Sequence, residues 1–226
     1  DGDNAAATAE LVGDVATAHP LDVADEAAIE QLVQEVEQQQ GCIDLFVSNA
    51  GYGLRGGLDL STTEWQRMMN VHTWSHLAAA RAVMPGMVAR GEGYFLNTAS
   101  AAGLLTQLDS GPYAVSKHAA VAFAEWLFIN YADQGIGVSV LCPQAVRTNI
   151  LGPKAQKGGS SNSRQAAADG VLEPDFVAEA CIEAVQEERF LVLPHPEVET
   201  YFQRKANDYD RWLSGMRRFR QRLLDR

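Results

Sequence analysis

The chain has 226 residues, 46% hydrophobic and 21% charged, a composition typical of one globular domain that can bury a sizeable core. A net charge of -11 argues against nucleic acid as the main partner, because phosphate binding needs a basic surface. Three scattered cysteines without a CxxC or Cys/His cluster predict no disulfide framework and no metal site, and favour a reducing, cytoplasmic compartment. No apolar run approaches the ~18 residues of a membrane span.

Short apolar runs alternate with longer amphipathic stretches along the chain, a pattern that predicts βαβ units and a parallel sheet with helices on both faces. In chain order the predicted elements are the end of a helix at 4–12, a strand at 15–21, a helix at 25–40, a strand at 43–48, a helix at 62–89, a strand at 94–98, a helix at 112–133, a strand at 137–142, a helix at 174–187 and a strand at 190–193. The strand runs are apolar throughout, as a sheet buried on both faces requires. Ser61 or Thr62 is the candidate cap of the helix over 62–89.

Two segments near the end of the chain differ from this alternation. Residues 154–170 are small, polar and glycine-rich, and predict a mobile loop over the substrate. Residues 196–226 predict a basic amphipathic helix, with eight basic and three acidic residues from Arg204 to Arg226. We expect this helix to dock on its own or a neighbouring subunit; the alternative is a helix lying on a membrane surface, which liposome co-sedimentation would test.

Tyr113 and Lys117 are four residues apart in a predicted helix, so their side chains share one face. A phenol of pKa ~10 is a poor base at neutral pH, and a nearby ammonium group is expected to lower that pKa by about three. Reduction of a carbonyl by hydride needs a proton donor at the forming alkoxide, and Ser100 offers a hydroxyl to hydrogen-bond that oxygen. The pattern predicts a proton-transfer site.

The four-residue spacing alone is weak evidence for a catalytic pair, because Tyr201 and Lys205 share it. Thirteen residues before Tyr201 stands Glu188, whereas Ser100 precedes Tyr113 by the same interval. We therefore expect Tyr201 and Lys205 to serve packing in the tail.

Further motifs stand in order around Ser100, Tyr113 and Lys117. They are Asp22-Val23, Asn49-Ala50-Gly51, Asn70, Asn97-Thr-Ala-Ser100 and the run from Cys142-Pro143 through Val146 to Thr148. With them the chain resembles the compact branch of the short-chain dehydrogenase/reductase family. The resemblance implies that Asn70, Ser100, Tyr113 and Lys117 are catalytic. It implies cofactor contacts from Asp22, Val23, Asn49, Ala50, Gly51, Tyr113, Lys117, Pro143, Val146 and Thr148.

The resemblance also implies a fold and an activity. The fold is a doubly wound, Rossmann-like parallel sheet, with residues 1–226 forming one dinucleotide-binding and catalytic domain. The implied reaction is hydride transfer between NAD or NADP and a small-molecule secondary alcohol or ketone; the alternative is a non-catalytic nucleotide-sensing or interaction protein. Family members assemble as homodimers or homotetramers through helices equivalent to 62–89 and 112–133, where Trp74, Phe123, Trp126 and Phe128 supply apolar surface.

The chain departs from the family pattern at two places. Gln144 stands where glycine is usual, and the glycine-rich phosphate loop is absent. Gly51 to Gly56 formally reads GxGxxG, but the next helix begins late and Gly51 belongs to the NAG motif. A sheet of order 3-2-1-4-5-6 would separate strands 15–21 and 43–48 by two further strands, so we expect the biological polypeptide, incomplete here at its N-terminus, to begin well before Asp1.

The expected substrate pocket is apolar, which predicts an apolar secondary alcohol or ketone as the substrate. Its predicted residues are Leu104, Leu105, Leu108, Ile150 and Leu151. Arg147 is the one candidate clamp for an anionic substrate, and we expect it to face solvent or the cofactor instead.

Overall fold

A parallel sheet of four strands organises the computed structural model, which describes residues 2–151 and 165–225. The elements are α1 (Gly2–Val12), α2 (Glu26–Gln40), β1 (Leu45–Ser48), α3 (Thr62–Met69), a π-helical segment (Asn70–Trp74), α4 (Ser75–Arg90), β2 (Gly93–Thr98), α5 (Ala102–Leu105), α6 (Gly111–Tyr131), a 3-10 turn (Ala132–Gln134), β3 (Ile136–Leu141), a 3-10 turn (Asn149–Leu151), α7 (Pro174–Gln186), β4 (Leu191–Val192), α8 (Glu197–Asn207) and α9 (Tyr209–Leu224). The strand order is β1-β2-β3-β4, with every neighbouring pair parallel. The predicted α/β class is confirmed.

The core lies on both faces of β2 and β3, because successive side chains of a strand point to opposite faces. Phe95 and Val138 are each 1% exposed and pack in the cluster that α4 and α6 complete. On the opposite face, Leu96 and Leu141 pack against Val177 and other apolar side chains of α7. Two-sided burial holds the central strands rigidly, so the loops leaving their carboxyl ends start from well-defined positions.

The predicted strand at 15–21 is wrong. This segment begins in a turn and continues without pairing, and Val15 is 90% exposed. A strand needs a neighbour for its backbone N–H and C=O groups. Among the described residues, β1 pairs with β2 on one side and with nothing on the other.

The predicted helix at 62–89 consists of α3, the π-helical segment and α4. Ser61 begins it with a capping box, in which its side chain accepts from the Glu64 N–H and the Glu64 carboxylate accepts from the Ser61 N–H. The π-helical segment starts at Asn70. Because the wider turn changes the angular spacing of side chains, residues after Asn70 face directions that a straight helix would not give them.

The single helix predicted at 196–226 is divided into α8 and α9. The chain is extended at Asp208, whose side chain accepts the Arg211 N–H and caps α9. A residue that caps a new helix has non-helical backbone angles, so the two halves cannot be continuous. Residues 154–164 of the predicted mobile loop lie outside the described residues. Within the described ranges, no helix is long and apolar enough to cross a membrane.

Candidate active site

The candidate site is built by three loops that leave the carboxyl ends of β1, β2 and β3 at the same edge of the sheet. Together with the start of α6 and with residues of α1, β1 and α7, they line a cavity of about 1250 Å³. The predicted site residues that line it are Asn49, Gly51, Ser100, Tyr113, Lys117, Pro143, Val146 and Thr148. Asp22, Val23, Ala50 and Asn70 lie outside its wall. Ligands of open α/β sheets bind at this edge, so the position is that of a binding site.

Lys117 is held deep in the site. Its side chain runs along the same face of α6 as Tyr113, with Nζ 5.9 Å from the centroid of the Tyr113 ring. Nζ donates a hydrogen bond to the Thr98 carbonyl oxygen at 2.9 Å, and Lys117 is 3% exposed. Burial lowers the pKa of Lys117 to about 8, because removal of water disfavours the ammonium form. The group is therefore mostly charged at pH 7.

Tyr113 and Ser100 both line the cavity wall, where the Ser100 hydroxyl is close enough to affect the pKa of Tyr113. Ser100 Oγ also accepts from the Ala102 N–H at 3.1 Å and lies 3.4 Å from the Pro143 carbonyl oxygen. Burial raises the pKa of Tyr113, and the hydrogen bond with Ser100 opposes that change only in part. The expected lowering of this pKa by Lys117 is therefore wrong, because desolvation outweighs any stabilisation of phenolate.

His72 contacts Tyr113 directly and was not predicted as part of the site. Its ring lies edge-on to the Tyr113 ring, with centroids 5.4 Å apart and planes at 90°. Nε2 accepts the Tyr52 N–H at 3.1 Å, so the Nδ1 proton is available to the Ser116 hydroxyl at 3.0 Å. Burial lowers the pKa of His72 to about 2, which keeps the ring neutral. A straight-helix pattern gives no signal for this contact.

Asn70 is the first residue of the π-helical segment and is partly exposed. Its backbone carbonyl accepts the Ser75 N–H, whereas its side chain forms no hydrogen bond with the described residues. The structure thus brings Ser100, Tyr113 and Lys117 together at the cavity wall but leaves Asn70 outside it.

On the cofactor side, the loop after β1 is tied to the end of β2. Asn49 Oδ1 accepts from Thr98 Oγ1 at 2.9 Å. A Cβ added to Gly51 would lie 3.3 Å from His72 Nε2 and 3.8 Å from Lys117 Nζ, so glycine permits the close approach of backbone to both side chains. This loop carries the NAG motif, which is predicted to contact the adenosine. It also lies against His72 and Lys117, the side chains next to Tyr113.

The other cofactor-side motifs have distinct surroundings. Asp22 is exposed, pairs with Arg67 at 2.9 Å and has a lowered pKa because of that partner. Asp25, rather than Asp22, caps α2.

After Gly51 the chain does not enter a helix until Thr62, and Gly56 forms a bridge with Ser110. The GxGxxG-like run consequently lacks the helix N-terminus that a phosphate loop needs.

Gln144 follows the Pro143 carbonyl that contacts Ser100. Positive φ angles at non-glycine residues occur in the described chain only at Thr106 and Glu188, so Gln144 does not need glycine's backbone freedom. The Gln144 N–H donates to His195 Nδ1 at 3.2 Å, and its Nε2 donates to Asp169 Oδ2 at 2.8 Å. The unusual residue is therefore accommodated without strain and is held by two partners.

The predicted apolar pocket is present in part. Leu105, Ile150 and Leu151 line the cavity, whereas Leu104 is buried in the core and Leu108 lies outside the wall. Arg147 is half exposed and pairs with Glu173 at 2.7 Å, so it faces solvent rather than a substrate. Among the described residues no group of His, Cys, Asp and Glu is arranged to hold a metal ion.

Tyr201 and Lys205, the second YxxxK pair, lie in α8 and outside the cavity wall. Tyr201 donates to Asp169 Oδ1 at 2.9 Å, and Lys205 donates to the Leu104 carbonyl oxygen. Lys205 also lies over the Tyr209 ring. These contacts attach the tail to the segments beside the pocket, which agrees with a packing role.

Comparison with known proteins identifies the family. Residues 2–158 match the family model described as short chain dehydrogenase, and the chain belongs to that family. The chain is 31% identical over 202 residues to 1-deoxy-11-beta-hydroxypentalenate dehydrogenase of Streptomyces exfoliatus, covering 88% of this chain and 71% of that protein. Across the first curated relatives, the chain spans 53% to 73% of their lengths.

Two solved structures are similar over most of the chain. A short chain dehydrogenase/reductase from Burkholderia phymatum in complex with NAD is 28% identical, with a TM-score of 0.78 over 89% of this chain and 78% of that one. A gluconate 5-dehydrogenase from Burkholderia cenocepacia in complex with NADP and tartrate is 26% identical, with a TM-score of 0.68 over 76% and 71%. The predicted family, fold and class, an NAD(P)-dependent oxidoreductase, are confirmed.

Proposed function

We propose that this chain catalyses hydride transfer between NAD or NADP and a secondary alcohol or ketone, with Tyr113 exchanging the proton. The observation that carries the proposal is the meeting of Ser100, Tyr113 and Lys117 at one cavity wall. The Streptomyces relative and the two similar structures are named as dehydrogenases or reductases, which supports the same reaction class.

Each side chain has a role that follows from its chemistry. The nicotinamide, when bound, supplies or accepts the hydride. In the reducing direction Tyr113 donates its phenolic proton to the alkoxide oxygen, and its raised pKa keeps that proton in place at neutral pH. Ser100 Oγ hydrogen-bonds the same oxygen as its negative charge grows. In the oxidising direction Tyr113 must first lose its own proton to solvent, and the phenolate then accepts the proton from the alcohol.

The structure also has groups that fit the cofactor. An ammonium has three donors, and among the described residues Lys117 uses one of them, on the Thr98 carbonyl. Lys117 lines the cavity, so its remaining donors suit a ribose hydroxyl. We further propose that Asp22, Val23, Asn49, Ala50 and Gly51 hold the adenosine side. The nicotinamide side falls to Pro143, Val146 and Thr148, and Asn70 holds a water molecule that resupplies the proton.

Replacement of Tyr113 by phenylalanine tests the mechanism. General acid–base catalysis contributes about 10²- to 10⁴-fold, so Tyr113→Phe should lower kcat/KM by that factor. The assay is oxidation of NADH and NADPH with a panel of ketones. Tyr209→Phe is the matched control, because Tyr209 is a half-exposed phenol in α9 and should leave activity unchanged. Full activity of Tyr113→Phe would refute the proposed role.

The same assay separates the alternative, a nucleotide-sensing or interaction protein. Cofactor binding by the wild-type chain without turnover of any ketone would favour that alternative.

We also propose a cytoplasmic homodimer or homotetramer, supported by exposed apolar side chains on the two long helical stretches: Trp74, Trp126 and Phe128 are 52%, 50% and 39% exposed. Light scattering of the purified protein measures the assembly.

A further inference from the structure

A chain of hydrogen bonds runs from the tail to the wall of the cavity. Tyr201 in α8 donates to Asp169 Oδ1, and Gln144 Nε2 donates to the other carboxylate oxygen, Oδ2. Gln144 lines the cavity, whereas Asp169 and Tyr201 lie behind its wall. The three residues are 25 and 32 positions apart in sequence and meet only through folding.

This arrangement determines which end of the Gln144 amide faces which partner. A carboxylate has only acceptors, so the NH2 group of the amide must point at Asp169. Burial and the neighbouring Asp169 raise the pKa of Tyr201, which keeps its phenol protonated as the second donor to the carboxylate. The Gln144 Oε1 atom is then left as a hydrogen-bond acceptor, and it has no hydrogen bond to any described residue.

Gln144 stands next to the reacting groups. The Pro143 carbonyl oxygen lies 3.4 Å from Ser100 Oγ and accepts the Ala101 N–H at 2.9 Å. The Gln144 backbone is fixed in addition by its bond to His195. Gln144 lines the same cavity as Ser100 and Tyr113, so a substrate whose carbonyl oxygen meets those two residues shares the cavity with this positioned acceptor. The rest of that region is largely apolar, with Leu105, Ile150 and Leu151 in the wall.

We propose that Gln144 is a specificity-determining residue that accepts a hydrogen bond from a substrate hydroxyl close to the reacting carbon, and that Asp169 and Tyr201 are its positioning residues. The substrate class is then hydroxyketones and the matching diols, with an apolar remainder. This inference rests on the proposed oxidoreductase function and adds a second recognition group to it. An unpaired acceptor in the wall disfavours a substrate that lacks the hydroxyl, because the amide oxygen loses water without gaining a partner.

The test compares paired ketones that differ by one hydroxyl, namely 2-hydroxy-1-phenylethanone with 1-phenylethanone and 1-hydroxybutan-2-one with butan-2-one. The measured quantity is the ratio of kcat/KM within each pair, together with KM for NADH and NADPH. Loss of one neutral hydrogen bond corresponds to about a fivefold to tenfold change. Gln144→Leu should reduce the preference for the hydroxylated ketone by that factor while leaving the KM of the cofactor unchanged.

Tyr201→Phe provides a second variant, because it releases Asp169 without changing the cavity wall. It should reduce the same preference by a smaller factor, whereas Tyr209→Phe should leave it at the wild-type value. An unchanged preference in Gln144→Leu would overturn the inference. A raised KM for the cofactor in place of a reduced preference would also overturn it, since the amide would then face the cofactor. If the wild-type protein reduces no ketone of either pair or of the wider panel, the proposed function fails, and this inference with it.

Discussion

Replacement of Lys117 by methionine should separate stability from activity. Burial lowers the pKa of Lys117 from 10.5 to about 8, which corresponds to a cost of about 3 kcal/mol for keeping the ammonium inside the fold at pH 7. Methionine has a similar length and carries no charge, so the variant avoids this cost. It loses the hydrogen bond to the Thr98 carbonyl, worth about 1.5–3 kcal/mol for a charged donor. Lys117→Met should therefore be as stable as the wild type, or up to about 1.5 kcal/mol more stable, while losing cofactor-dependent activity.

The pH dependence gives the sharper measurement. Below pH 8 both the folded and the unfolded chain carry the Lys117 proton, so the cost of the buried charge is fully present. Between pH 8 and 10.5 the unfolded chain still binds a proton that the folded chain has lost, so stability rises with pH. From pH 7 to 9.5 this contribution amounts to about 2 kcal/mol in the wild type and is absent from Lys117→Met.

Urea denaturation followed by circular dichroism at the two pH values measures this difference. Cys142 acts in the opposite direction, because burial raises its pKa to about 12 and the unfolded thiol ionises first as the pH rises above 9. Cys142 is present in both proteins, so comparing the wild type with the variant removes most of its effect. The same gain in stability between pH 7 and 9.5 in both proteins would refute the depressed pKa of Lys117.

Two further predictions concern the packing behind the site. His72→Leu removes the acceptor of the Tyr52 N–H and one of the two bonds of the Ser116 hydroxyl, which keeps its bond to the Tyr113 carbonyl. The free energy of unfolding should fall by about 1–3 kcal/mol in urea titrations, and unchanged stability would contradict the assigned bonds. Gly103→Ala places a Cβ 2.5 Å from the Lys117 carbonyl oxygen, so Tm and kcat/KM should both fall. In Gly57→Ala the nearest atom to the added Cβ is 3.9 Å away, so this variant is the matched control. Equal Tm values for the two variants would contradict the prediction, because α5 would then move away from the Lys117 carbonyl without a cost in stability.

Local sequence patterns were enough to predict much of the fold. Apolar runs flanked by helical periodicity located β1, β2, β3 and the long helices. For β2 and β3 the reason is burial on both faces, whereas β1 has an exposed face, with Leu45 43% and Val47 46% exposed. The sequence predicted Ser61 or Thr62 as the helix cap, with Glu64 nearby, and the structure shows that Ser61 is the cap. The segment 15–21 carried a similar apolar pattern, yet it forms no strand, because pairing depends on a neighbour that a local pattern does not show.

The order of motifs around Tyr113 pointed to the candidate site, while its internal contacts depended on the fold. Periodicity could not reveal that the turn at Asn70 widens and leaves His72 buried against Tyr113. The direction of the Tyr113 pKa was mispredicted, because spacing in sequence indicates a nearby ammonium but not the loss of water that outweighs it.

The amino-acid sequence by itself determined the family, the α/β class and the helical face that carries Tyr113 and Lys117, since these depend on short-range spacing and on the order of motifs. The sequence also predicted a packing role for Tyr201 and Lys205, and only the tertiary structure decided their partners, which are Asp169 and the Leu104 carbonyl oxygen. The same holds for Gln144, whose partner Asp169 is 25 residues away. Burial and long-range partners arise when distant segments pack together, so no local pattern encodes them.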